Sequence, residues 1–85
     1  MDLALLDTVV VKRDLPEYHL RAGDLGAIVE IHDPNFFEVE FVTAGGKTQA
    51  LVTLQTAQVR KAGNRDLLAV RALADDSPAA GSGQR

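Results

Sequence analysis

Residues 20–42, LRAGDLGAIVEIHDPNFFEVEFV, read as a turn, a strand, a tight turn and a second strand. Gly23 and Gly26 bracket the start of the first strand. Asp33-Pro34-Asn35 ends it, because proline fixes φ and Asn or Asp tolerate the left-handed region. From Phe37 to Thr43 the alternation is clean, with Phe37, Val39 and Phe41 on one face and Glu38 and Glu40 on the other. A period of two marks a strand with one buried face. The same period over Leu25–His32 puts Leu25, Ala27, Val29 and Ile31 inward, and Ile28, Glu30 and His32 outward.

Further strands lie on both sides of this hairpin. Thr8–Lys12, TVVVK, is short and β-branched, a first strand. Arg13 to Asp24 contains Pro16 and Gly23, so no regular element runs through it. Its Leu15, Tyr18 and Leu20 are apolar, which folds this long loop back onto the sheet. Ala44-Gly45-Gly46 suits a hairpin turn with positive φ. Lys47–Leu54 follows as a fourth strand with Ala50, Val52 and Leu54 inward. Gln55–Gln58 reads as one 3₁₀ turn and Val59–Lys61 as a fifth strand.

Five short strands, one long first loop and tight later turns predict an all-β fold, a small five-stranded SH3-like barrel over residues 1–61. Its expected core is Val9, Val11, Val29, Ile31, Val39, Phe41, Val52 and Leu54. A side chain at Gly26 is expected to collide with the folded-back loop. Residues 62–76 form a C-terminal extension. Within it, NRDLLAVRALA (64–74) fits a helical stripe through Leu67, Val70 and Ala74 and a strand face through Leu68, Val70 and Ala72 equally well. Residues 77–85, SPAAGSGQR, hold too little apolar content to pack and are expected to be a flexible, disordered tail.

Composition narrows the function. Eighty-five residues hold one core. The absence of cysteine favours a reducing cytoplasm, since small secreted domains are often stapled by disulfides. Asp2 and Asp7 interrupt the first apolar run, so no signal peptide is expected, and no run approaches the roughly 20 apolar residues of a membrane span. The net charge is −3. Residues 1–61 carry nine acids against six bases, so the whole excess lies in the barrel. That sign argues against a general nucleic-acid binder, whose phosphate contacts need clustered Lys and Arg.

The order of short motifs is also familiar. Leu5-Leu6-Asp7, Asp14-Leu15-Pro16-Glu17, Gly23-Asp24-Leu25-Gly26, Glu38-Val39-Glu40-Phe41 and Ala50-Leu51-Val52-Thr53-Leu54 follow one another as they do in DUF4926. The chain resembles this family of short bacterial proteins of unknown function from Leu5 to about Arg60. The resemblance implies an SH3-like fold and adds no activity. Gly23–Ile31 alone is similar to the KOW motif of ribosomal and transcription proteins, but lacks the basic residues of the RNA-binding barrels.

Candidate chemistry is sparse. Gly23 and Gly26 precede no helix, so they are backbone positions and not a phosphate loop. His19 and His32 have Glu17 and Asp33 nearby in sequence, but no third ligand recurs at metal spacing, so no metal, cofactor or catalytic site is expected. Glu38, Glu40 and Glu30 read as a solvated outer face or an acidic contact surface. The best functional candidate is the first loop with the second turn: Asp14, Glu17, Tyr18 and Phe36, placed where peptide-binding barrels flank a groove. The chain has no Trp and only four aromatic residues, so the paired aromatics of proline-rich recognition are missing.

The expected function is a non-catalytic interaction module or accessory protein. Its partner is another protein or a second copy of itself, and neither a membrane nor nucleic acid is expected. The alternative is a KOW-like nucleic-acid-binding barrel, in which Lys12, Arg13, Arg21, Arg60 and Lys61 gather at one end.

Overall fold

The computed structural model describes residues 3–33 and 35–73. It contains five strands: β1 (Thr8–Val11), β2 (Leu25–Asp33), β3 (Phe36–Val42), β4 (Thr48–Gln55) and β5 (Val59–Lys61). Two 3₁₀ turns, Pro16–Tyr18 and Thr56–Gln58, complete the regular structure. All pairings are antiparallel, and the strand order is β4-β3-β2-β1-β5.

The connection between β4 and β5 dictates the shape. These two strands are the outer edges of the sheet, yet only the Thr56–Gln58 turn separates them. Five flat strands place their edges about 19 Å apart at about 4.8 Å per step. A four-residue step reaches at most about 14 Å, and less through a 3₁₀ turn. The sheet therefore curls until its edges approach. It does not close: the described residues show no ladder between β4 and β5, which corrects the expectation of a barrel to a curled, open all-β sheet.

The core fills the inside of that curl. Val9, Val11, Leu15, Leu20, Ile28, Phe37, Val39, Phe41, Val52, Leu54 and Val59 form one cluster, with Leu3 and Ala50 against it. The long loop folds back as expected. Leu15 and Leu20 bridge each other through paired backbone hydrogen bonds and are both buried. His19 takes a left-handed φ of 60° to make that reversal.

The β2 assignment needs correcting. Val29 and Ile31 are 38% and 42% exposed, while Gly26 and Ile28 face the core. The cause is Phe41. A Cβ on Gly26 would stand 2.8 Å from its ring and 2.5 Å from Val39 Cγ1, so any larger residue at this inward position must push those side chains aside. The first loop, expected to be the obstacle, is not among these contacts. Farther along, Ile28 pairs with Val39 but Glu30 pairs with Glu38, so Val29 is an extra residue, a β-bulge. The bulge resets the alternation and puts Ile31 opposite the buried Phe37, where it is only partly covered.

Beyond β5, residues 62–73 adopt neither helix nor strand, so neither reading of the sequence holds for 64–73. Val70, which either element needed to bury, is 97% exposed; Leu67 of the helical stripe is 92% exposed and Leu68 of the strand face 72%. The predicted tail at 77–85 lies outside the described residues.

Candidate functional site

The first loop and the β3–β4 hairpin enclose a groove on one end of the sheet. Leu20, Leu25, Phe41 and Val42 supply its apolar wall, and Gln49 its polar side. Loop geometry fixes the carboxylates at its mouth. Asp14 Oδ1 accepts the Ala22 N–H at 2.9 Å, and Asp24 Oδ2 accepts the Arg21 N–H at 2.8 Å. Gly23, at φ +96°, donates to the Val11 carbonyl and turns the chain so that Asp24 enters β2 facing this space.

Arg71 of the extension reaches across to Asp24. Its Nε donates to Oδ1 at 2.7 Å and a terminal nitrogen to Oδ2 at 2.6 Å, a two-pronged contact between partners 47 residues apart. The same nitrogen donates to the His19 carbonyl at 3.1 Å. Both side chains are partly shielded from water. The Arg71 hydrogen bond holds the Asp24 carboxyl below its ordinary value, against the opposing effect of burial. Asp24 in turn raises Arg71, and Asp14 adds to the negative potential there.

A second polar cluster lies on the outer face. Glu30 and Glu38 stand directly opposite on β2 and β3, a cross-strand pair of like charges that is unfavourable by itself. His32 relieves it, with Nε2 2.9 Å from Glu38 Oε2 and Nδ1 4.0 Å from Glu30. The Glu38 hydrogen bond raises His32 above its ordinary value, and Glu30 adds to the effect. Glu30, His32 and Glu38 each offer a ligand atom within 4.8 Å of the others, so they are the residues among those described that have metal-ligand spacing. His32 hydrogen-bonds Glu38 alone, and at 4.0 Å it meets Glu30 only through charge. Glu40 stands apart from this cluster and accepts the Thr48 hydroxyl at 2.6 Å.

The four residues singled out from the sequence do not converge on one place. Tyr18, 40% exposed, and Glu17 lie in the 3₁₀ turn of the first loop, next to Asp14 and the groove. Phe36, 38% exposed, begins β3, whereas the groove meets its other end at Phe41 and Val42. Seven strand residues separate those ends by about 20 Å. Of the basic residues, Arg60 pairs with Asp66 at 2.8 Å and Lys61 lies 3.6 Å from Asp7. Asp24 and Arg71 were not singled out by sequence reasoning. Asp24 was visible only as part of a turn motif, and no local signal links it to Arg71.

Together these features define a small all-β domain with a groove that combines apolar walls with Asp14, Asp24, Arg21 and Arg71. No helix among the described residues is long and apolar enough to cross a membrane. The chain belongs to the family described as Domain of unknown function (DUF4926), which matches residues 5–61, well over half of it. No curated protein and no solved structure matches the chain.

Proposed function

We propose that this domain is a non-catalytic module that binds another protein through the first loop and the groove beside it. The observation that carries the reading is the groove itself: an apolar wall of Leu20, Phe41 and Val42 with Asp14 and Asp24 at its mouth. Tyr18 and Glu17 extend that surface along the loop. An exposed tyrosine gives large contact area at low entropic cost. The carboxylates favour a partner with basic residues and speed encounter with it. Phe36 lies too far away for one short segment to touch both aromatics, so it belongs to a wider interface or to none. The cysteine-free composition fits a cytoplasmic setting.

The test is affinity capture from the native host with full-length wild type, Tyr18→Ala, Glu17→Gln and Phe36→Ala, each first shown to be folded. Tyr18→Ala and Glu17→Gln are expected to lose or weaken capture of a partner that Phe36→Ala retains. If both loop variants keep every partner, the binding surface lies elsewhere.

A further inference from the structure

The extension crosses the groove in a manner unlike the packing of the sheet. Its fixed point is Arg71, forked onto Asp24 and capped by the His19 carbonyl. Around that point the segment buries little. Val70 is almost wholly exposed, as is Leu67, and Leu68 is 72% exposed. Leu73 is half-buried, and Ala69 and Ala72 stand with it, Val70 and Arg71 along a cavity of about 430 Å³ whose other walls include Leu20, Leu25 and Phe41. An apolar cavity of this size left unfilled forfeits the contacts that side chains in it would make. The guanidinium fork supplies geometric specificity, because lysine cannot present two parallel donors to one carboxylate. Partial solvent exposure keeps the strength of such a pair modest. The groove thus holds the right charge contact with too small an apolar filling.

We propose that the groove is the docking site for an extended, arginine-bearing segment of a partner protein, and that residues 69–73 occupy it in the partner's absence as a weak internal competitor. This rests on the protein-binding reading above and names its occupant. The partner's arginine takes the place of Arg71 on Asp24, with Asp14 adding attraction. Aliphatic side chains larger than Ala69 and Ala72 flank it and fill the cavity. The segment is extended, because the occupant it replaces has no helix to accommodate. Displacement loses one ion pair and gains apolar contact.

The experiment uses two fluorescent peptides: one copying residues 66–73, DLLAVRAL, and one with leucine in place of its two internal alanines next to the Val-Arg pair, DLLLVRLL. Each is titrated by anisotropy into full-length wild type, Arg71→Ala and Asp24→Asn. Asn at 24 can still accept the Arg21 N–H. A groove free about one-fifth of the time lowers apparent affinity about fivefold, so Arg71→Ala is expected to bind about fivefold tighter than wild type. The leucine peptide is expected to bind more tightly than the copy. Asp24→Asn, or an alanine in place of the peptide's arginine, should remove most of the binding. If Arg71→Ala binds no better than wild type, the competitor is refuted. Equal binding of the arginine-free peptide refutes the Asp24 contact. A concentration-dependent dimer of wild type that Arg71→Ala dissolves makes the occupant a second copy and overturns the proposal. Failure of both peptides while Tyr18→Ala still loses a captured partner overturns this occupant alone. Failure of the peptides together with full capture by the loop variants overturns the placing of protein binding on this loop and groove as well.

Discussion

Residues 5–61 and residues 62–73 are parts of one chain held by different forces. The first stretch buries eleven side chains in one cluster and closes its backbone in antiparallel ladders. The second has no ladder and leaves Leu67, Leu68 and Val70 in water, with Leu73 alone half-buried among its large apolar side chains. What ties it down is charge: Asp66 on Arg60 next to β5, and Arg71 on Asp24 across the groove. Apolar burial scales with area and resists salt, whereas partly exposed ion pairs are individually weak and screened. The comparison teaches that stability and adaptability are separated along this sequence. The curled sheet supplies a fixed surface, and the extension is a cover that can leave it.

The sharpest way to break the comparison is in the sheet. Phe41→Ala removes a ring that packs over Gly26 in the core, and is expected to cost about 3–5 kcal/mol. A domain holding about 5–15 kcal/mol is strongly depleted by that loss. Chemical denaturation checks it, and an unchanged midpoint would contradict the core described here. Gly26→Ala approaches the same contact from the other side. Its Cβ must displace Val39 and Phe41, an overpacking cost of about 1–3 kcal/mol, read as a lowered melting temperature. Full stability would show that the ring can move aside freely.

Changes in the extension should do far less. Arg71→Ala is expected to cost about 1 kcal/mol or less, because its ion pair is partly exposed. Asp24 has a lowered folded pKa, so its contribution is present above its unfolded value of about 3.8 and is lost as pH falls through the lower folded one. The clamp is therefore intact at neutral pH. The smallest effect belongs to His32, whose folded pKa is raised. Its pairing with Glu38 contributes fully below the unfolded value of about 6.5 and is lost as pH rises through the folded value. An NMR titration of the His32 ring should give a midpoint above 6.5 that Glu38→Gln brings down. A midpoint that Glu38→Gln leaves unchanged would show that the cluster does not form in solution.

The sequence made β3 and β4 readable because β3 buries a single face with an unbroken period of two, β4 does so from Ala50 to Leu54 beyond a bulge at Gln49, and Gly45-Gly46 marks the turn between them. The return of Leu15 and Leu20 was readable from apolar residues inside a turn-rich loop. The orientation of β2 was not, because two long-range facts override its local pattern: the Phe41 ring occupies the space beside Gly26, and the bulge at Val29 resets the alternation. Neither leaves a trace in the spacing of Leu25, Ala27, Val29 and Ile31. Closure was overestimated because the strand count does not reveal whether β4 and β5 pair. At the site, the exposure of Tyr18 and Glu17 on the first loop was legible, although neither lines the groove, and Asp24–Arg71 was not. An ion pair spanning 47 residues depends on the path of an irregular segment, which no periodicity encodes.

Amide hydrogen exchange on full-length wild type and Arg71→Ala, each at low and at high salt, tests the division between sheet and cover most directly. At about 1 M salt the screening length falls to about 3 Å, so the clamp should loosen while apolar burial holds. The amides of Arg21, Gly23 and Asp24, hydrogen-bonded where Arg71 docks, should exchange faster in Arg71→Ala at low salt and in wild type at high salt. The amides of β1 to β4 should keep their protection in every sample. Loss of protection across the sheet together with these three amides would show one cooperative unit and contradict the account.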